Sequence, residues 1–264
     1  MESSKASWDN NAEVWAQRIR AGGDIHRRLL INPLILNIAK SLKPGLVLDV
    51  GAGEASFSAE ISKYLNAKVI AADFSFSMCR QAKDYSSEKL AIINADVHRL
   101  PFKRAIFDLV IANMLVQGIP DLDECFSSLA RVLKARGAFI FSTLNSSRVM
   151  PYADNMEGSL ISIDGKNNLP SIVPVTEYKK KRIILAPIRL GNKDRIPSKV
   201  YYYHRMLSDY SISLKRSGFV TDVIYEPMPN DELVYSYPEM SEFWDSAPFL
   251  VWVCRKTRPS DVLL

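Results

Sequence analysis

Three observations predict an α/β fold with a largely parallel sheet. Apolar runs rich in β-branched residues alternate with stretches of helical periodicity between residues 46 and 143, the pattern of strands covered on both faces by helices. One run, 46–50, ends in Gly51 and Gly53 and passes into a helix whose apolar residues Phe57, Ile61 and Leu65 recur every four positions, so a buried strand meets a tight turn and a helix N-terminus. The 264 residues, 47% of them apolar, suffice for one sizeable domain with additions.

Residues 1–44 read as two helices ahead of the core. Trp8, Ala12, Trp15 and Ile19 form one apolar stripe that Gly22 and Gly23 stop. Asp24 can cap the second helix, in which Leu29, Leu30, Leu34, Ile35 and Ile38 face inward and Pro33 marks a kink or restart. The core, 45–145, follows as strand 46–50, helix 54–65, strand 68–72, helix 75–86, strand 90–94, strand 106–112, helix 121–133 and strand 137–143. Right-handed crossovers place every strand's C-terminal end on one rim, so Asp49, Asp73, Asp96 and Asn113 converge although far apart in sequence. Across 146–200 periodicity dissolves into Pro, Gly, Asn and charge, with strand-like pieces only at 159–163 and 182–190; so long an excursion reads as a substrate-side insertion. Residues 201–264 complete the sheet: a strand at 200–203, a helix at 208–217 capped by Ser208, a strand at 219–225, an acidic connection over 226–247 and a last strand at 249–254.

The chemistry starts at the glycine turn. Two glycines let a ligand approach the backbone, and the following helix offers free N–H groups with a partial positive charge. Such a turn also serves nicotinamide and flavin enzymes, whose fingerprint carries a third glycine where this chain has Ser56. Asp49 is a carboxylate in an otherwise apolar strand, a costly placement unless something cationic or hydrogen-bonding meets it. Asp73 closes the next apolar run 20 residues beyond Gly53, where a carboxylate can accept from ribose hydroxyls.

From the turn onward, through Asn94-Ala-Asp96-Val97-His98-Arg99-Leu100-Pro101-Phe102, Phe107-Asp108-Leu-Val-Ile-Ala-Asn113 and Leu129-Ala-Arg-Val-Leu-Lys-Ala-Arg-Gly137, the chain resembles the class I S-adenosylmethionine (SAM) methyltransferases, specifically the broad group that includes the ubiquinone and menaquinone methyltransferases. The resemblance implies a Rossmann-like sheet of seven strands ordered 3-2-1-4-5-7-6, the final strand antiparallel. It implies SAM as donor and S-adenosylhomocysteine as product. Asp73 would take the ribose hydroxyls, Phe74 and Val97 would flank the adenine and Asp96 would accept from its amino group. Asp49, Gly51 and Gly53 would hold the methionine end, with Met78 and Asn113 completing the cofactor set. Related enzymes fold an aromatic N-terminal helix over the donor; here Trp15 offers a ring for the sulfonium, and Arg18 and Arg27 offer cations for the carboxylate.

Two residues are candidates on the acceptor side. Asn113 can orient an acceptor or merely finish its strand. His204, in Tyr203-His204-Arg205-Met206-Leu207-Ser208-Asp209-Tyr210, belongs to a stretch similar to the His-Arg-x-Leu-Ser-x-Tyr segment of small-molecule methyltransferases, and is either a general base or a structural histidine. His26 is a weaker option, and His98 reads as structural. Methyl transfer from a sulfonium is an in-line displacement that mainly needs proximity, and the fourth strand's end, Ile111-Ala112-Asn113-Met114, holds no carboxylate cluster, so no metal is expected.

The reading is therefore a SAM-dependent methyltransferase of a small molecule in specialised metabolism, with an oxygen acceptor ahead of nitrogen or carbon. An alternative is O-methylation of a carrier-protein-bound acid: Met114-Leu-Val-Gln-Gly-Ile-Pro-Asp-Leu and Phe141-Ser-Thr-Leu look like malonyl-carrier-protein O-methyltransferases, and residues 179–205 hold nine basic residues against one acid. Another is a SAM-binding protein of this fold that catalyses cyclisation. The net charge of +5 permits an anionic partner without requiring one; nucleic acid is not favoured, because the basic residues lack interleaved stacking aromatics. Three scattered cysteines and the lack of an apolar run long enough to span a membrane fit a soluble cytoplasmic protein.

Overall fold

The computed structural model describes residues 4–151, 172–174, 178–186, 199–243 and 247–257. Strands β1 (Leu46–Val50), β2 (Lys68–Asp73), β3 (Leu90–Asn94), β4 (Phe107–Asn113) and β5 (Leu133–Leu144) run parallel to their sheet neighbours in this set. Two short antiparallel pairs follow, β6 (Val149–Pro151) with β7 (Ile172–Pro174) and β8 (Arg182–Ala186) with β9 (Val200–His204). The chain then returns to the main sheet as β10 (Phe219–Tyr225) and β11 (Phe249–Lys256). The seven-stranded order is β3-β2-β1-β4-β5-β11-β10, with β11 antiparallel to both neighbours, which is the topology the resemblance implies.

Helices α1 (Ser4–Arg20), α2 (Asn32–Leu42), α3 (Ser56–Leu65), α4 (Phe76–Ala82), α5 (Leu122–Val132), α6 (Leu207–Arg216) and α7 (Asp231–Ser236) cover the sheet. One apolar cluster joins Ile31, Ile35, Phe57, Ile61 and Ala82 to that face of the strands, and the other joins Phe126, Leu129, Tyr210 and Leu214 to the opposite face. In the second cluster Phe141 stacks on Trp252 at 5.5 Å and 10°, and burying each such side chain stabilises the fold by about 1.5–3 kcal/mol. At the N-terminal edge of the sheet Asp108 accepts from the backbone N–H groups of Gly45 and Leu46 and pairs with Lys134, so this acid at the start of β4 lies at the end opposite the rim. No helix among the described residues is long and apolar enough to cross a membrane.

Several boundaries differ from the sequence expectation for identifiable reasons. The helix expected from 54 begins at Ser56 because Ala55 adopts φ +64. The helix expected to reach 133 stops at Val132, where β5 begins. Of a kink or a restart, Pro33 marks the restart: it sits in the first turn of α2, where its missing N–H is not needed, after a π-helical turn Arg27–Ile31 that the sequence did not signal. Ser208 is not the cap of α6: the helix starts at Leu207, and Asp209 Oδ2 accepts from the Met206 N–H at 3.0 Å. The strand-like piece at 159–163 and the end of the one at 182–190 lie outside the described residues. The acidic connection after β10 contains α7 and a turn, Pro238–Phe243, whose Met240 is fully buried.

Candidate active site

The glycine turn is shaped by what lies above it. Gly51 has φ +67, and a Cβ there would come within 2.6 Å of Leu115 Cδ1, so the loop after β4 closes directly onto the turn after β1. Gly53, at φ +58, donates its N–H to Asp73 Oδ2 at 2.8 Å, which locks the turn to the end of β2. The third left-handed residue is Ala55, not Ser56, and it is completely buried. Glu54, also buried, folds back to accept from the Ser56 N–H at 3.0 Å and the Ser56 hydroxyl at 2.6 Å, satisfying a donor in the first turn of α3.

The carboxylates of the rim are held differently. Asp49 is 2% exposed, and burial pushes its pKa up to about 7 against the opposing effects of the Ser58 hydroxyl, 2.5 Å away, and the Arg27 charge. Asp73 is buried and raised to about 6, although its Oδ1 accepts from Ser75 N–H at 2.9 Å. Each retains acceptor capacity for a further donor. Asp96 is more exposed; burial works against its charge, but the N–H and ring Nδ1 of His98, at 3.0 and 2.7 Å, hold it below the usual carboxylate value. Phe74 is half-buried beside Asp73, Val97 opens the helical turn Val97–Arg99, and Met78 is buried in α4.

The N-terminal segment lies over this rim. α1 buries small and polar residues, Ser7, Asn11, Ala12 and Ala16, and is fastened to the start of α4 where Asp9 accepts from the Ser75 hydroxyl at 2.6 Å and the Ser77 N–H at 3.1 Å. Trp8 and Trp15 meet edge to face at 5.5 Å, and Trp15 Nε1 is 3.8 Å from where a Cβ on Gly53 would stand. Asp24, at φ +54, accepts from the Arg27 N–H at 3.2 Å and pairs with its Nε at 3.3 Å. Arg27 lies 5.7 Å over the Trp15 ring, and its charge acts on Asp49. Arg27 is thus drawn into the centre of the site; Arg18 is half-buried on α1.

Asn113 is buried at the end of β4 with both ends of its amide engaged: Nδ2 donates to Asn32 Oδ1 at 2.8 Å and Oδ1 accepts from the Ser142 hydroxyl at 2.7 Å. Ser142 also accepts from the N–H of Met114, whose φ is +57. The hairpin β8–β9 crosses the rim, tied to α1 by the Ser7 hydroxyl on Lys199 O and to the start of α5 by Arg205 on Ile119 O and Pro120 O. His204 is buried at its end, and its Nε2 lies 3.0 Å from Tyr178 O, which fixes the proton on Nε2 in the neutral ring because a carbonyl only accepts. His204 lines a groove of about 540 Å³ with Pro120, Asp121, Lys181, Tyr203 and Asp209; the lining includes none of Asp49, Gly51, Gly53, Asp73 or Asp96. Sequence reasoning named Arg27 as a cation for the donor and missed the left-handed Ala55.

A profile described as a methyltransferase domain matches residues 48–141, the stretch that carries the glycine turn and the rim carboxylates. The malonyl-[acyl-carrier protein] O-methyltransferase of Legionella pneumophila is 32% identical over 146 residues, 54% of this chain and 50% of the relative. The demethylmenaquinone methyltransferase of Thermobifida fusca is 32% identical over 117 residues, 43% of this chain and 49% of the relative. The chain spans about half the length of the curated relatives it matches. The S-adenosylmethionine-dependent methyltransferase of Mesorhizobium loti superposes with a TM-score of 0.60 at 21% identity, over 80% of this chain and 90% of that one, a likeness of fold. The strand order, the left-handed turn after β1 and the matching profile agree: residues 48–141 match a methyltransferase domain, and the sheet has the Rossmann-like fold of class I SAM-dependent methyltransferases.

Proposed function

We propose that the chain transfers the methyl group of SAM to an oxygen atom of a small-molecule acceptor. The observation that carries this reading is the convergence of Trp15 and Arg27 from the N-terminal segment on Asp49 and the glycine turn. Donor-side roles follow from charge and position. Arg27, assisted by Arg18, pairs with the methionine carboxylate; Asp49 accepts from its ammonium; Trp15 presents its ring to the sulfonium. Asp73 accepts from the ribose hydroxyls, Asp96 from the adenine amino group, and Phe74 and Val97 flank the base. Asn113, fixed by Asn32 and Ser142, sets the acceptor-side wall beneath β9. His204 holds Tyr178 and hence the hairpin in place.

The reaction needs a dry, oriented contact between sulfonium and nucleophile. The N-terminal segment supplies the closure, since α1 is held over the rim through small residues and a few polar bonds that can open and reform. Free cysteines at 79, 125 and 254 fit a reducing, cytoplasmic setting. Incubation with methyl-labelled SAM and hydroxylated acceptors tests the reading: transfer of label supports it, whereas SAM binding without transfer to any acceptor favours a SAM-dependent rearrangement such as cyclisation.

A second reading has its own support. Several relatives are named malonyl-[acyl-carrier protein] O-methyltransferases, and Lys179, Lys180 and Lys181 are exposed at the start of β8, where an acidic carrier protein would find complementary charge. Label transfer to a carrier-bound malonyl thioester, but not to free hydroxylated compounds, would establish this one instead.

A further inference from the structure

The groove beside His204 lies apart from the donor-side residues, none of which lines it. It opens between the start of α5, the helix α6 and the hairpin β8–β9, with a volume of about 540 Å³, a size that takes a small molecule. Arg205 is its most firmly held cation. The Nη2 of Arg205 donates to Ile119 O and, at 2.9 Å, to Pro120 O, and the guanidinium lies 5.1 Å over the Tyr203 ring. Carbonyls and a ring fix the group without cancelling its charge, and no carboxylate among the described residues lies within ion-pair distance of it.

Two polar groups of the groove wall are unfilled. Arg205 Nη1 is shut off from solvent and has no hydrogen-bond partner; the Tyr210 phenol comes near the guanidinium without completing a bond to it. Ser213, 4% exposed on α6, likewise carries a buried hydroxyl with no partner. A buried donor left unmade is costly, a charged one more so, and an oxyanion supplies the acceptor that both lack. Further cations are at hand. Lys181 and Arg216 also line the groove, paired with Asp209 at 3.0 Å and with Asp123 at 3.2 Å. Both basic side chains are largely exposed, where such pairs are worth little, so either cation can turn to an ion.

We infer that this groove binds a phosphate monoester of an apolar alcohol or phenol, at a site separate from that of the donor. A carboxylate ligand would bring a single charge to a place where Asp121, Asp123 and Asp209 already stand, and would gain little over them. A phosphoryl group carries almost a double negative charge at neutral pH and three strong acceptor oxygens. That is enough for Arg205 Nη1, the Ser213 hydroxyl and one of the two paired cations. The apolar part of the ligand follows from the flanks: Ile183 on β8 and Ile212 on α6 line the groove while 65% and 48% exposed, and Tyr203 adds an aromatic wall. The inference goes beyond methyl transfer, because binding here needs neither donor nor turnover.

Calorimetry on the full chain, with and without saturating S-adenosylhomocysteine, tests the site with phenyl phosphate, inorganic phosphate and phenol as probes. Phenyl phosphate should bind with a Kd of about 0.1–1 mM, the scale of two or three charge-assisted hydrogen bonds, equally in both states and more weakly as salt rises. Inorganic phosphate should bind several-fold less tightly, and phenol not at all. Arg205→Lys should weaken phenyl phosphate about tenfold or more, and Ser213→Ala about threefold. Arg205 also ties the hairpin to the start of α5, so Ser213→Ala decides the matter if Arg205→Lys fails to fold. Equal affinity for inorganic phosphate would overturn the ester in favour of the free ion. No binding of either phosphate, or binding that both variants leave unchanged, would overturn the site. Binding lost in the presence of S-adenosylhomocysteine would assign the phosphate to the donor rim and overturn the site as well.

Discussion

SAM binding should expel protons from the two buried carboxylates of the rim. Asp49 and Asp73 are carboxylates raised by burial to about 7 and about 6. At pH 6 roughly nine-tenths of Asp49 and half of Asp73 therefore carry a proton in the unliganded protein. An ammonium beside Asp49 and ribose hydroxyls on Asp73 favour the charged forms, so binding should release on the order of one proton at pH 6 and SAM affinity should rise about tenfold between pH 6 and pH 7. The sign for folding is the opposite. Because both folded pKa values lie above the unfolded one, the stability they contribute to the unliganded chain is present at acid pH and is lost as pH climbs from about 4 through 7. Titration calorimetry in two buffers of different ionisation enthalpy reads the proton count directly, and Asp49→Asn, which keeps an acceptor for the Ser58 hydroxyl, should remove most of it. A binding heat independent of buffer at pH 6, together with flat affinity across pH 6–7, would refute the assignment of these carboxylates to the donor.

Four further outcomes are expected. Asp73→Ala should weaken SAM about ten- to a hundredfold by calorimetry, the scale of a lost charged acceptor. Ala55→Gly should leave the thermal midpoint within about two degrees of the parent's, because relieving φ +64, about 1–2 kcal/mol, is offset by the added chain entropy of glycine and by the loss of a fully buried methyl, about 0.8 kcal/mol; a fall of several degrees would show that Ala55 is not strained. Hydrogen exchange over residues 8–30 should be fast without ligand and slow with S-adenosylhomocysteine, since α1 meets α4 through small residues and side-chain hydrogen bonds rather than a large apolar face; equal protection in both states would make the segment a fixed part of the fold. His204→Ala should lower kcat by less than about threefold while reducing thermal stability, because the ring's Nε2 serves Tyr178; a loss of 100-fold with the acid limb of the pH profile removed would instead make it the general base.

The core was readable because its signals are local. A strand, a glycine turn and a helix announce themselves within a dozen residues, and right-handed crossovers then fix which ends meet. Asp49, Asp73 and Asp96 consequently reach one rim as expected from their strand ends. Ala55 gave no such signal, since nothing about alanine marks a left-handed residue, and the fingerprint pointed to Ser56 one position on. Arg27 was legible as a cation expected to meet the donor's carboxylate, but the backbone that carries it was not. The π-helical turn Arg27–Ile31 carries an extra residue per turn, which rotates the side chains before it relative to those of α2, and periodicity counted through Asp24 and Pro33 cannot register that rotation.

The acceptor side depends on contacts far apart in sequence, which no local pattern encodes. Asn113 read as an amide free to orient a substrate, yet Asn32 and Ser142, 81 and 29 residues away, occupy both of its ends. The same bonds explain a feature that otherwise lacks support: Met114 holds φ +57 without being glycine, at a cost of about 1–2 kcal/mol. Its N–H is taken by Ser142 Oγ at 2.8 Å and its carbonyl by Gln117 Nε2 at 2.5 Å, so the strained loop is fixed from both sides and carries Leu115 over Gly51. Asn32 begins α2, immediately after the π-helical turn that holds Arg27, and it bonds the residue that bonds Ser142. The turn that carries Arg27 and the backbone of the loop after β4 are therefore joined by one buried polar chain, and a change at Asn32 should disturb both.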